Sequence, residues 1–399
     1  MKILIIHNTY ISQHTGGEDI VFYNELTALE ERLGKNSVYH YTVSNNTIHI
    51  PLLIFTIFFS IRHFFAVRRL IKREKINLVH VHNFFPLLTT AVFLAARISG
   101  AKTVHTLHNY RLWCPSGTFY RDGFGICEKC AALPVPIFCI RYGCYRGSVL
   151  QSIPAALAFG FYNLLRMYRF IDFFFVLTRF QKEKIISLGI PPDRIILKPN
   201  FLISPGFAEA TSACIPAPRE GYLFVGRFEE SKGLAVLLKA WKQANLPDTL
   251  YIIGSGELPE EAVAEAEKNT AFDEKKIQFL GKKTNAEVLD LMGRVKYLIQ
   301  PSIWYETFGL TIIEAFLQGT PVIGFSIGTR NEFITDGKNG FLAEPDNLPM
   351  VLKNSSNRSD YEELSRRAAE KGAEFSRDTI LGFQITAYQK ILNGKAKLP

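Results

Sequence analysis

Two α/β domains, each a doubly wound parallel sheet, are what the sequence predicts for this chain, and three observations lead there. The length of 399 residues suggests two or three domains. Hydrophobic residues make up 47% and charged residues 21%, the balance of a packed globular chain and not of a disordered one. Apolar runs of strand length alternate with short helical stretches, the rhythm of crossover units in a parallel sheet, whose ligands bind at the strand carboxyl ends.

The rhythm is plainest in the second half. "YLFVG" (222–226) predicts a strand and Lys232 to Ala244 a helix, followed by strand "TLYIIG" (249–254) and the helical "EEAVAEAEKNT" (260–270). Strand "KIQFLG" leads to "TNAEVLDLM", where Thr284 and Glu287 have capping-box spacing. Strand "KYLIQ", helix "GLTIIEAFLQ" closed by Gly319, strand "PVIGF", helix "RNEFITDG" and strand "GFLAE" complete the series. In the first half "KILIIH", "NLVHVH", "KTVHTLH", "FFFVLT" and "RIILKPN" read as strands, and the pattern breaks between Tyr110 and Arg146 into a loop rich in Cys, Gly and Pro. Periodicity also lapses in "PNFLISPGFAEATSACIPAPRE". The expected division is therefore a first domain over 1–203 with an insertion at 110–146, a linker at 204–219 and a second domain over 220–375. Two similar domains facing a cleft is the economical arrangement.

Charge separates the halves. Residues 1–200 hold 23 Lys and Arg against 11 Asp and Glu, a net of +12, whereas residues 201–399 hold 23 against 26, a net of −3. The first half therefore faces something anionic. No nucleic-acid motif or aromatic platform accompanies the charge, so nucleic acid is not the expected partner. The start "MKILIIHNTY" has too short an apolar run for a signal peptide and reads as a buried strand, so a cytoplasmic location is expected. In "PLLIFTIFFSIRHFFAVRRLIKREK" (51–75) ten apolar residues end at Arg62, well short of the roughly 20 a spanning helix needs, and five further cations follow. Such a segment is either an interfacial helix on anionic lipid or a buried helix with a solvated end.

Two glutamates eight apart, Glu306 and Glu314, stand in the apolar "WYETFGLTIIEAFLQGTPVIGF". Burying them is costly without partners. Upstream, Arg227 and Lys232 sit five apart where a strand turns into a helix. A guanidinium fork, an ammonium and the first amides of a helix suit a diphosphate. "FVGRFEESKG", "GSGE" and "ETFGLTIIEAFLQGTPVI", with "HTGGED", "HVHN", "TLHNYR" and "KPN" earlier, resemble retaining glycosyltransferases of family 4 with the GT-B fold, of the bacterial polysaccharide-synthesis type.

That resemblance implies a nucleotide-diphosphate sugar as donor and a glycan or lipid-linked saccharide as acceptor, with the second domain holding the nucleotide. Arg227 and Lys232 would then neutralise the leaving diphosphate, Glu314 accept hydrogen bonds from the ribose diol, and Glu306 hold hydroxyls of the transferred sugar. Phe308, Gly309 and Leu310 would offer helix-start amides. Gly16 and Gly17 match a loop between donor and acceptor, although a plain turn is the alternative. His108 matches a histidine beside the donor sugar, while His80, His82 and His105 read as structural. The final segment 376–399, with helix "TILGFQITAYQKIL", would pack back on the first domain. The family reaction is a front-face displacement that needs no metal or other cofactor, and no Asp-x-Asp occurs in the chain. Thr329 stands where relatives often have a second glycine after the one matching Gly328.

Five of the six cysteines lie between 114 and 144. Without an export signal, clustering favours metal binding or free thiols over disulfides. Cys127 and Cys130 form a C-x-x-C, and a structural zinc is one reading. Similar insertions in relatives would select Cys114, Cys127, Cys130 and Cys144, with Cys139 an alternative fourth ligand. The expected protein is thus a metal-independent glycosyltransferase working on cell-surface polysaccharide, peripheral at the inner face of the plasma membrane. A sugar-nucleotide epimerase and a non-catalytic sugar-nucleotide-binding protein are the alternatives.

Overall fold

The computed structural model describes residues 1–10, 17–47, 50–202, 219–257 and 277–394. Gly16, all but Arg219 of the expected linker and the helical segment 260–270 lie outside the described residues. The chain divides into two compact units. The first comprises Met1–Phe119, Cys127–Ile203 and Arg377–Pro399, and the second Tyr120–Ile126 and Ser204–Ser376.

In chain order the first unit contains β1 (Ile3–Thr9), α1 (Gly17–Leu33), β2 (Val38–Ser44), α2 (Ile50–Thr56), α3 (Ile61–Glu74), β3 (Leu78–Asn83), α4 (Ala91–Ile98) and β4 (Lys102–Thr106). After the hairpin strands β5 (Tyr120–Arg121) and β6 (Gly125–Ile126) come α5 (Ile137–Arg141), α6 (Val149–Leu164), β7 (Phe173–Val176), α7 (Arg179–Ser187) and β8 (Ile195–Leu197). Six strands pair in parallel in the order β2-β1-β3-β4-β7-β8. A sheet buried on both faces sorts alternate residues to opposite sides. Leu4, Ile6, Val79, Val81 and Phe174 pack in one core cluster. Ile3, Ile5, Leu78, Val104 and Phe175 pack in the other, where α1 supplies Phe22, Leu26 and Leu29. The C-terminal helix Arg377–Leu392 completes that second cluster with Ile380, Leu381, Ala387, Tyr388 and Ile391.

Two sequence expectations change in this unit. Segment 51–75 is two helices and not one, because the intervening backbone bonds elsewhere. The Ser60 amide donates to the Thr89 hydroxyl at 3.0 Å, and the Ile57 carbonyl accepts the Tyr162 hydroxyl. The insertion 110–146 is also divided: residues 120–126 form a hairpin that groups with the second unit. There the Glu230 carboxylate accepts the Tyr120 hydroxyl at 2.8 Å and the Gly123 amide at 2.9 Å.

Behind the sheet end of the first unit lies a fully buried polar network around Glu25 of α1. Its Oε1 accepts from Gln384 at 2.5 Å and lies 3.1 Å from His80 Nδ1 and 3.2 Å from His82 Nε2, while its Oε2 takes the Lys198 ammonium. Tyr388 bonds His80 at 2.7 Å, and His80 bonds Thr106 at 2.7 Å. Burial alone would raise the Glu25 carboxyl, but Lys198 with His82 and His80 outweighs it and holds the group well below its usual range. Among the described residues, Glu25, His80 and His82 are the one group of three with ligand atoms close enough for a metal ion. Lys198 already supplies the positive charge there, and burial pushes His82 down to about 3, so the arrangement is complete as a structural network.

The second unit carries β9 (Tyr222–Val225), α8 (Leu234–Ala244), β10 (Leu250–Ile253), β11 (Ile277–Gly281), β12 (Tyr297–Gln300), β13 (Val322–Phe325) and β14 (Gly340–Ala343), with helices Asn285–Arg294 and Leu310–Leu317 among its connections. Its sheet is parallel in the order β11-β10-β9-β12-β13-β14. The capping box at Thr284 and Glu287 is present. Lys232 does not begin α8: it ends a 3-10 turn, and Gly233 follows at φ +73°. A Cβ at Gly233 would come within 1.9 Å of the Pro301 carbonyl oxygen, so only glycine lets the loop after β9 approach the loop after β12. "RNEFITDG" is helical only over Arg330–Phe333, and Asn339 receives the turn by accepting the Thr335 amide at 2.7 Å and donating to the Phe333 carbonyl at 2.9 Å.

Gly233→Ala should therefore lower unfolding free energy by about 2–5 kcal/mol in urea titration, combining left-handed strain with the clash; a variant as stable as the parent would contradict the close approach. Lys198→Met strands a buried carboxylate and should cost about 3–5 kcal/mol, much of it recovered when Glu25→Gln is added. Because Glu25 is held below its ordinary range, the network's contribution is complete at neutral pH and is lost on acidification, which a pH series of the same titration would show.

Candidate functional site

In the second unit β9 has β10 on one side and β12 on the other, so the winding reverses between β9 and β12. Open α/β sheets bind ligands beyond the strand ends at such a switch point. The loops that leave β9 and β12 there carry Lys232 and Glu306. The Ile303 amide donates to the Ser231 carbonyl at 2.9 Å, tying the loops together. Gly254 of "GSGE" passes as close: a Cβ there would lie 1.9 Å from the Gly226 carbonyl oxygen, while one at Gly256 would lie 3.1 Å from the Phe228 amide nitrogen.

Glu306 is the centre of this region. Its Oε1 accepts from Lys232 Nζ at 2.6 Å, Trp304 Nε1 at 3.1 Å, and Gln300 Nε2 and Ser302 Oγ at 3.2 Å each. Among the described residues no donor bonds Oε2. Burial would raise this carboxyl, but the Lys232 ammonium and its hydrogen bond, aided by Arg330, outweigh burial and keep it below its usual range. Lys232 also lies 4.9 Å from the centre of the Trp304 ring. Lys232, which the resemblance assigns to the diphosphate, thus already takes one oxygen of Glu306.

Arg330 went unread in the sequence. Its guanidinium is fully buried and donates to the carbonyls of Phe325 at 2.8 Å and Ser302 at 2.7 Å and to Gln300 Oε1 at 3.2 Å, fixing the loop that presents Glu306. Burial pushes it down to about 10 despite nearby Glu306. Thr329, at the position where a glycine was expected, is buried and donates its hydroxyl to the Glu306 carbonyl, a bond no glycine could make.

Arg227 is not brought onto Glu306 with Lys232. Its side chain is 71% exposed and pairs with Glu229 at 2.6 Å. Phe308 is buried against Phe333 and Phe375, and Gly309, at φ +80°, caps the helix that Leu310 begins. Glu314 projects from that helix, half-buried, with no hydrogen bond or ion pair to its carboxylate among the described residues, and burial raises it to about 7.

In the first unit Gly17 opens α1 at an exposed position. His108 follows β4 and stacks on His82 with ring centres 5.0 Å apart, its Nε2 2.9 Å from His82 Nδ1. Because His82 Nε2 faces the Glu25 carboxylate, the proton of His82 belongs on Nε2 and its Nδ1 accepts. His108 then carries its proton on Nε2 and presents Nδ1 as an acceptor. Burial holds His108 well below the usual range, so it is neutral. With Asn83, Asn109 and Arg111 it lines a recess at the ends of β3 and β4. His80 and His105 are buried and bonded within the unit.

Cys114, Cys127, Cys130, Cys139 and Cys144 form no disulfide among the described residues, and Cys114 and Cys139 are buried. They are neighbours: burial and the proximity of Cys114, Cys144 and Cys127 push Cys130 up to about 12. Among the described residues, no three of the sulfurs lie within 4.8 Å of one another. A tetrahedral zinc site would require about 3.8 Å between them.

Residues 29–202 match the family model Glycosyltransferase Family 4, and residues 214–374 match Glycosyl transferases group 1. An uncharacterized glycosyltransferase of Methanocaldococcus jannaschii is 33% identical over 155 residues, which are 39% of this chain and 42% of that protein. The O-antigen chain mannosyltransferase C of Escherichia coli is 28% identical over 182 residues, 44% of this chain and 48% of that one. These matches span about half the length of the relatives. The structure of Anabaena HepE in complex with UDP superimposes with a TM-score of 0.64 at 16% identity, over 98% of this chain and all of that one, a likeness of fold. With one model on each half and the two parallel six-stranded sheets between them accounting for the architecture, the chain belongs to glycosyltransferase family 4 and has the GT-B fold.

Proposed function

We propose that this protein transfers a sugar from a nucleotide-diphosphate sugar to a hydroxyl of a glycan or lipid-linked oligosaccharide in cell-surface polysaccharide synthesis, retaining the anomeric configuration. The observation that carries this reading is the Lys232–Glu306 pair at the switch point, with Oε2 of Glu306 open to a sugar hydroxyl and the Glu314 carboxylate unpaired on the helix that follows. The likeness to an O-antigen mannosyltransferase and to a UDP-bound structure supports the same class of donor and product.

Lys232 spends one of its three donors on Glu306, and the others can meet the diphosphate. Arg227 can join it, because an exposed pair such as Arg227–Glu229 is worth less than about 1 kcal/mol and a diphosphate can displace Glu229. Glu314 accepts the two ribose hydroxyls. The bond from the anomeric carbon to the phosphate oxygen breaks as the acceptor oxygen bonds that carbon on the same face. The acceptor proton passes to the departing phosphate, whose charge the two cations stabilise. In this reading His108 belongs near the transferred sugar, and the family loop that Gly16 and Gly17 match belongs between donor and acceptor. No metal takes part in this scheme, in keeping with the lack of Asp-x-Asp. The acceptor is reached at the inner membrane surface. A zinc on Cys114, Cys127, Cys130 and Cys144 would be structural, requires the thiols to close in, and is decided by the metal content of the purified protein.

Thermal shift against UDP-, GDP-, dTDP- and ADP-sugars tests the donor site, since a ligand of the folded state raises the melting temperature. One nucleotide class should stabilise the parent and not Glu314→Ala; a folded parent that no donor stabilises would overturn the reading. The diol needs an ionised carboxylate, so affinity should be full above pH 7 and weaken toward about tenfold per pH unit below it. Glu314→Gln should bind weakly with a flat profile, and a parent profile equally flat would remove Glu314 from the site.

A further inference from the structure

Helix α6 carries no charged residue, yet one side of it faces solvent with large apolar side chains. Leu150 is 80% exposed, and Ile153, Leu157 and Leu164 are exposed with it. Their spacing of three, four and seven places them in one stripe along the helix. The opposite side, with Ala155, Ala158, Phe159 and Tyr162, is in the core, so the exposed stripe is additional to what the fold requires.

The stripe does not stand alone. Phe161, on the same side, packs on Phe58 with ring centres 5.8 Å apart, and Tyr162 bonds the Ile57 carbonyl. This joins α6 to the end of α2, where Leu52 and Phe55 are 60% and 78% exposed, and Ile61 and Phe65 continue the exposed apolar surface at the start of α3. Large apolar side chains left exposed on helices joined in this way mark an interaction surface.

The charge around it is of one sign. Residues 36–73 hold five Lys and Arg and no Asp or Glu, and residues 129–171 likewise hold five and none. Arg146 precedes α6, and Arg166 and Arg169 follow it, all exposed. An apolar stripe with cations at both ends suits a surface whose interior is hydrocarbon and whose headgroups are anionic. A second copy of this chain would bring two cationic rims together, which disfavours it as the occupant. The helix cannot cross the bilayer: 16 residues rise about 24 Å against a hydrocarbon core of about 30 Å. No described helix is long and apolar enough to do so.

We propose that α6, with α2 and the first turn of α3, lies flat in the headgroup region of an anionic bilayer and docks the first unit there. This inference rests on the membrane-surface acceptor of the reading above, but not on the donor chemistry. The test is sedimentation of the full chain with vesicles of phosphatidylcholine alone and of phosphatidylcholine mixed with phosphatidylglycerol. The parent should bind the mixed vesicles strongly and the neutral ones weakly. The double variant Leu150→Gln, Leu157→Gln, at exposed positions, should lose at least about tenfold in affinity for the mixed vesicles. It should keep any melting-temperature shift that a sugar nucleotide gives the parent, which also shows that it is folded. Arg166→Gln with Arg169→Gln should reduce binding and weaken its salt dependence.

A parent that ignores both vesicles, or a double variant that binds as tightly as the parent, would overturn the docking face. Concentration-dependent self-association removed by the double variant, without vesicle binding, would overturn it in favour of a second copy. Vesicle binding with no donor stabilisation would uphold the docking face while the transfer reading fell.

Discussion

The second unit is organised by one buried carboxylate. An ionised Glu306 out of water is tolerable only if several donors meet it at once. Those donors come from two different loops, and the loop that holds Glu306 in place is itself pinned by Arg330 from a third. The glycine that follows Lys232 exists to let two of these loops touch. Strand order decides that the loops lie beside one another, and the carboxylate decides how they are set.

The first unit uses the same device with a different outcome. Glu25 also draws together a lysine and residues distant in the chain, but both of its oxygens are occupied. Glu306 has all its donors on one oxygen. A fully satisfied carboxylate rigidifies, whereas a half-satisfied one retains the capacity to accept from a ligand. The Glu25 network extends to His108, because the carboxylate favours the proton of His82 on Nε2 and leaves its Nδ1 to accept from His108.

Much of the fold was legible because parallel strands buried on both faces are continuous apolar runs, such as those at β1, β9 and β13. Strand β2, "VYHYTVS", was missed: it lies at the sheet edge, its burial alternates, and its histidine and serine dilute the signal. The capping box at Thr284 was legible because it is local. The site was legible in its residue types and only partly in its pairing. Glu306 and Glu314 were found from their cost in an apolar context and Lys232 from its place where a strand turns toward a helix, but an exposed Arg227 paired with Glu229 leaves no trace in spacing. Glu25 and Lys198 are 173 positions apart, and nothing along the chain links them. The stripe on α6 went unread in the sequence, where an apolar helical face ordinarily means core. Only solvent exposure separates the two meanings.

The placement of the C-terminal helix has a consequence for how the protein is made. Residues 377–392 cover the face of the first sheet lined by Ile3, Ile5, Leu78 and Val104, yet they leave the ribosome after every other described element. During translation that face waits only partly covered, by α1, while the whole second unit is synthesised. The second unit needs nothing from the last helix for its own core and is free to fold first. The nascent first unit must keep its half-finished apolar face from sticking elsewhere, so a stalled or truncated chain is expected to aggregate through its amino-terminal half.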